Sequence, residues 1–169
     1  MSKPHVVAAA ALLAVMTLAT SGCNSGSSSP TAPQAVPLVA SAVDESLFEK
    51  LNAARAANSL PRLPLDPTLS RVAEAHSAYM RTAGGLTHES PDGGNVGDRL
   101  SVSGVAFRRA AENVGVSFGH ADPATFLHNE FMNSPGHRKV ILDSSWTHVG
   151  IGVVGGGSET WVTQVFVAR

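Results

Sequence analysis

The closing stretch ETWVTQVFVA, residues 159–168, constrains the fold more than any other part of the chain. Read as a strand, it sets Trp161, Val165 and Val167 on one face and Val162, Phe166 and Ala168 on the other. Both faces are apolar, and such a strand is stable only when something covers it on each side. The preceding HVGIGVV and its run of three glycines make it the second arm of a hairpin. In the first arm Val149, Ile151 and Val153 share a face, while Gly150 and Gly152 leave the other bare, so that a helix or a ligand can approach the backbone closely.

The cover comes from earlier segments with helical periodicity. DESLFEKLNAARAANSL, residues 44–60, repeats Leu47, Leu51, Ala54 and Ala57 at helical spacing and begins with Asp44 and Glu45, where the helix dipole favours anions. LDPTLSRVAEAHSAYM, residues 65–80, offers Asp66 as N-cap, Pro67 at the first helical position, and a stripe of Leu69, Val72, Ala73, His76 and Met80. His76, sharing that stripe, reads as a hydrogen-bonded, half-buried histidine. A second Asp-Pro opens DPATFLHNEFMN, where Ala124, Leu127 and Phe131 form one face and His128 and Glu130 fall to its sides. Helices first and strands last, around a strand covered on both sides, predict an α+β fold in three layers.

The N-terminal residues are of another kind. Val6 to Ala19 is apolar apart from Thr17, follows a single lysine, and at 14 residues falls short of the roughly 20 that span a membrane. Small residues follow it, so residues 1–22 read as a signal peptide and the chain as exported. Cys23 is the only cysteine, which excludes an intrachain disulfide. LATSGC resembles the lipobox of bacterial lipoproteins, with Thr20 where that motif prefers leucine, and the resemblance implies that Cys23 is acylated and anchors the protein to a membrane. Residues 23–42 are rich in Ser, Gly, Pro and Ala, with no charge from Asn24 to Ala42, and read as a tether. That leaves residues 43–169 for one folded domain. With 12 Lys and Arg against 13 Asp and Glu and no basic stripe, nucleic acid is not an expected partner.

Candidate chemistry gathers in the middle of the chain, where His88, Glu89, Asp92 and Glu112 lie among glycine and polar residues that read as loops. His137 follows an apparent helix break at Ser134-Pro135-Gly136. His88, Glu112 and His137 are separated by 24 and 25 residues, unlike any local metal-binding code, so spacing by itself leaves them as either a shared site or solvated loop residues. Ser134, three residues before His137, reads as a cap for the short helix after it, or as a nucleophile beside a base. His120, His128 and His148 read as surface or strand-end residues, and Glu89, Asp92 and Asp98 as solvated or capping.

LTHESPDG, AENVGVS, FMNSPGHRKVILD, HVGIGVV and WVTQVFV, in that order, resemble the successive motifs of the CAP superfamily of cysteine-rich secretory, antigen-five and pathogenesis-related proteins, and most resemble its bacterial secreted branch. The resemblance implies an α-β-α sandwich with a C-terminal hairpin and a central cleft holding two histidines and usually two glutamates, where the histidines can hold a divalent metal such as zinc. By motif the histidines are His88 and His137 and the first glutamate is Glu112. The second glutamate has no clean counterpart: Phe131 takes the place of the aromatic residue that precedes it in eukaryotic members, Ser134 stands where the acid would be, and Glu130 is nearby.

Two imidazoles and one carboxylate would make a zinc site with an open fourth position, the ligand set of a metal-dependent hydrolase acting on peptide or cell-wall material. Two histidines with Glu112 behind them would make a binding site without catalysis. The reading carried forward is an exported protein, lipid-anchored through Cys23 or secreted with that thiol free, whose cleft binds a divalent metal or a small or lipid-like ligand at the cell envelope. The hydrolase, and a structural or adhesive module without cleft chemistry, are its alternatives.

Overall fold

The computed structural model describes residues 42–156 and 158–169. The expected signal peptide, Cys23 and nearly all of the expected tether lie outside the described residues. Among the described residues the order is α1 (Ala42–Ala57), α2 (Pro67–Ala83), α3 (Val96–Val102), β1 (Arg109–Phe118), α4 (Pro123–Asn133), α5 (Pro135–Ile141), β2 (His148–Gly156) and β3 (Glu159–Ala168). The three strands form an antiparallel sheet in the order β1-β3-β2. The strand with two apolar faces is therefore the central one. On one side Val165 and Val167 pack with Leu69, Val72 and Ala73 of α2 and Leu100 of α3. On the other, Val162, Phe166 and Ala168 join a larger cluster with Leu47, Leu51, Leu127, Phe131 and Ile141 of α1, α4 and α5. These are the three layers expected of the α-β-α sandwich.

The bare face of β2 is taken up by α2. A Cβ on Gly150 would lie 2.3 Å from the carbonyl carbon of Leu69, and one on Gly152 would lie 2.0 Å from the Glu74 nitrogen. Only glycine lets helix and strand backbones come so near. Two serines of α2 exploit the approach: Ser77 Oγ donates to Gly152 O at 2.9 Å, and Ser70 Oγ accepts from Ile151 N at 3.2 Å. The expected caps form as well, with Asp66 Oδ1 accepting from Thr68 N and Leu69 N and Asp122 Oδ1 from Thr125 N.

Three expectations are corrected. The buried stripe of α1 runs Leu47, Leu51, Arg55, with Asn52 beside it, in place of Ala54 and Ala57. Arg55 is fully buried because its guanidinium donates to three main-chain carbonyls: Pro61 at 3.0 Å, Ile141 at 2.8 Å and Asp143 at 2.9 Å. RAAENVGVSF is the edge strand β1 rather than loop. Its pattern hides this because Glu112 and Asn113 occupy buried positions, each paired with a polar group from a distant element. Finally, Ser134 stands at the N-cap of α5, but its hydroxyl makes no capping hydrogen bond.

Candidate metal and ligand cleft

The loop that carries His88 is shaped by α2. The helix ends at Gly84 in the left-handed region (φ 71°), whose N–H reaches back to Met80 O at 2.9 Å. The chain then doubles back over the buried face of its own helix. There His76, 2 % exposed, makes a 2.8 Å hydrogen bond from Nε2 to Thr87 O, one residue before His88. Burial holds the His76 imidazole below the ordinary histidine range against the raising effects of Glu112 and of the bond to Thr87. A neutral ring facing a carbonyl must carry its proton on Nε2. His76 is thus hydrogen-bonded as expected, but fully rather than half buried.

Glu112 projects from β1 on the α2 side, its side chain only 2 % exposed. One carboxylate oxygen accepts from His88 Nδ1 at 2.9 Å and the other pairs with Arg99 Nη2. His76 Nε2 stands 3.7 Å from the first oxygen, outside hydrogen-bond range but within reach of its charge. The His88 ring is 58 % exposed. With Nδ1–H committed to the carboxylate, its Nε2 lone pair is the one free for a ligand.

His137 comes from the other side of the sheet edge. Pro135 starts α5 immediately after α4, and the turn brings His137 edge-on to Phe131, with ring centroids 5.2 Å apart. Its carbonyl accepts from Asn113 Nδ2 at 3.3 Å, so neighbouring residues of β1 serve both histidines. Burial, and then repulsion from His88 should both rings take up a proton, push the His137 imidazole below the ordinary range. His137 opens onto a cavity of about 230 Å³ lined by Leu86, by Val114 and Val116 of β1, and by Phe126, Glu130, Phe131 and Ser134. Glu130, which fell to the side of its helix in the periodic reading, is therefore on the cleft beside His137. Ser134 also lines it, without an orienting acid.

Among the described residues no three His, Cys, Asp or Glu side chains are grouped as a metal site. Glu112, with both oxygens engaged, is an orienting group behind His88. Imidazoles are donors of the type that zinc takes, and His88, with its Nδ1 on a carboxylate, and His137 are the residues that would hold such an ion. The other described histidines are elsewhere. His120 is exposed and stacked on Phe126, His128 is half-buried between α4 and α1, and His148 begins β2. Asp98 completes a capping box with Asn95, and Asp92 accepts from Gly94 N. His76 and Arg99 were not singled out as site residues. The signal for His76 is its place on an apolar stripe, where a polar ring must find a partner; Arg99 carries no such signal.

The family model of CAP, the cysteine-rich secretory protein family, matches residues 48–166. The chain belongs to this family. Within the CAP family it is 36 % identical over 133 residues to the uncharacterized protein YkwD of Bacillus subtilis, covering 79 % of this chain and 50 % of that one. A crystal structure of an extracellular protein containing an SCP domain from Bacillus anthracis superposes with a TM-score of 0.69 at 32 % identity, over 84 % of this chain and 45 % of that one. An outer surface protein of Borrelia burgdorferi shares the fold at a TM-score of 0.68 and 18 % identity, over 75 % of this chain and 92 % of that one. The chain spans about half the length of the curated relative YkwD. Among the described residues of this CAP protein, no helix is long and apolar enough to cross a membrane.

Proposed function

We propose that this CAP protein is exported, held at the cell envelope by acylated Cys23, and binds a divalent metal such as zinc through His88 and His137, with a small or lipid-like ligand or a cell-wall fragment in the adjoining cleft. The observation that carries the reading is the hydrogen bond from His88 Nδ1 to Glu112, which leaves the second nitrogen of a largely exposed ring for a ligand. A carboxylate behind an imidazole both fixes the ring and raises its basicity as a ligand. The neutral state of His137 supports the same reading, since only a neutral imidazole offers a lone pair. Export is supported by the N-terminal pattern and by the extracellular description of the Bacillus anthracis relative.

A bound zinc ion would supply Lewis acidity. The protein's own part is to hold two imidazoles, to line the cleft with Val114, Val116, Phe126 and Phe131 for an apolar portion of a ligand, and to place Glu130 and Ser134 for its polar portion. Binding is favoured over hydrolysis because Glu112 is committed to Arg99 and His88. The hydrolase reading rests on Glu130, the remaining carboxylate on the cleft. It requires turnover restored by added metal and abolished in a folded His137→Ala variant.

The test is zinc titration by calorimetry on metal-stripped protein, beside His88→Ala and His137→Ala variants checked for folding. Stoichiometric binding lost in both variants is the expected result. Absence of binding to folded wild type refutes the metal reading and turns the search to lipids and wall fragments.

A further inference from the structure

Arg99 makes more contacts with the His88 loop than any helical packing requires. It lies on α3, a short helix started by the Asn95–Asp98 capping box and docked on the sheet by fully buried Leu100. Leu100 sets the helix against α2 and β3, and the side chain of the preceding residue, 13 % exposed, reaches the His88 loop. From there its guanidinium divides among three groups. Nη1 donates to His88 O at 3.1 Å and to Ser90 Oγ at 2.9 Å, and Nη2 donates to Glu112 Oε2. Nε is buried without a hydrogen-bond partner among the described residues. Both arms of the fork thus act on the surroundings of one imidazole, the backbone carbonyl and loop hydroxyl on one side and its carboxylate partner on the other.

We propose that Arg99 is a positioning residue for His88: holding the loop backbone with one arm and the outer oxygen of Glu112 with the other, it leaves the inner oxygen for His88 Nδ1–H and so selects the tautomer that presents Nε2 to the cleft. The inference rests on the metal reading for its purpose, but not for its geometry. The His88 ring is largely exposed and sits on a loop outside any helix or strand, so it has little else to hold it. Without Arg99 the carboxylate has two oxygens to offer and the loop loses two of its ties. Lysine cannot substitute, because a single ammonium does not reproduce a planar fork that spans a carbonyl, a hydroxyl and a carboxylate.

The experiment reads the tautomer directly. In metal-free, ¹⁵N-labelled protein, long-range ¹H–¹⁵N spectra distinguish Nδ1–H from Nε2–H for each ring, with free histidine as the reference. Wild type is expected to show His88 as the Nδ1–H form. Folded Arg99→Lys and Arg99→Gln variants are expected to show a mixture, with zinc affinity reduced by about tenfold or more. A His88 that keeps a pure Nδ1–H tautomer in both folded variants overturns the proposal.

If neither variant folds, the wild-type guanidinium decides. A fork held at both arms gives separate, slowly exchanging Nη signals, and a freely rotating Arg99 overturns the proposal. Wild type that binds no zinc but shows the tautomer dependence refutes the metal reading and leaves Arg99 in its role. Zinc binding with an Arg99-independent tautomer does the reverse.

Discussion

Arg55→Met tests the central claim about how the helical layer is held. The native guanidinium ties three carbonyls from two separate segments, one after α1 and the other at the end of α5. Methionine fills much of the volume but leaves those carbonyls without their donors, at about 1–3 kcal/mol for each buried acceptor. Part is regained, because the folded state no longer has to strip water from a cation. The expected net loss is about 3–5 kcal/mol, a large fraction of the roughly 5–15 kcal/mol that such a domain possesses. With a urea m value of about 2 kcal/mol/M, the unfolding midpoint should fall by about 2 M with m unchanged. Arg55→Lys, which keeps the charge but cannot span three acceptors, should fall between the two. A midpoint shift below about 0.5 M for Arg55→Met, with m unchanged, would show that these hydrogen bonds do not hold the layers together.

Gly152→Ala places a Cβ 2.0 Å from the Glu74 backbone nitrogen and should cost about 3 kcal/mol or more in thermal unfolding, whereas Gly136→Ala, with open space around it, should be neutral or slightly stabilising. Glu112→Ala strands Arg99 in a poorly solvated position and should destabilise by about 3 kcal/mol; equal melting temperatures for variant and wild type would contradict the buried ion pair. Burial, and secondarily Lys50, lower the folded-state pKa of His128. Its contribution to stability is therefore complete above the unfolded value of about 6.5 and declines as pH falls through that value toward the folded one. His128→Leu should flatten the stability–pH slope below pH 6.5, by at most about 1.4 kcal/mol per pH unit; an unchanged slope between pH 7 and 5 in urea titrations would refute that assignment.

Much of this architecture is legible in local patterns. The double apolar face of β3, the glycines of β2 and the Asp-Pro starts of α2 and α4 each act through a few neighbouring residues, and each leads to the element observed. β1 escapes such reading because Glu112 and Asn113 break the alternation that marks a strand. They are admissible in a buried strand only because Arg99, His88 and Gln164 arrive from elsewhere to meet their hydrogen-bonding groups. Arg55 escapes for the same reason: an arginine on a helix reads as solvated until its three acceptors are known.

The candidate site divides along the same line. His88, Glu112 and His137 were recognisable by motif, although separations of 24 and 25 residues carry no geometric information. Glu130 was only nearby, and the packing of α4 on β1 brings it to the cleft. The sequence by itself determined where apolar surface had to be covered, and hence the layers, and its successive motifs marked the family. Tertiary structure decided which polar groups meet inside, because a buried charge or imidazole is tolerated only beside a partner that the fold, and not the neighbouring residues, supplies.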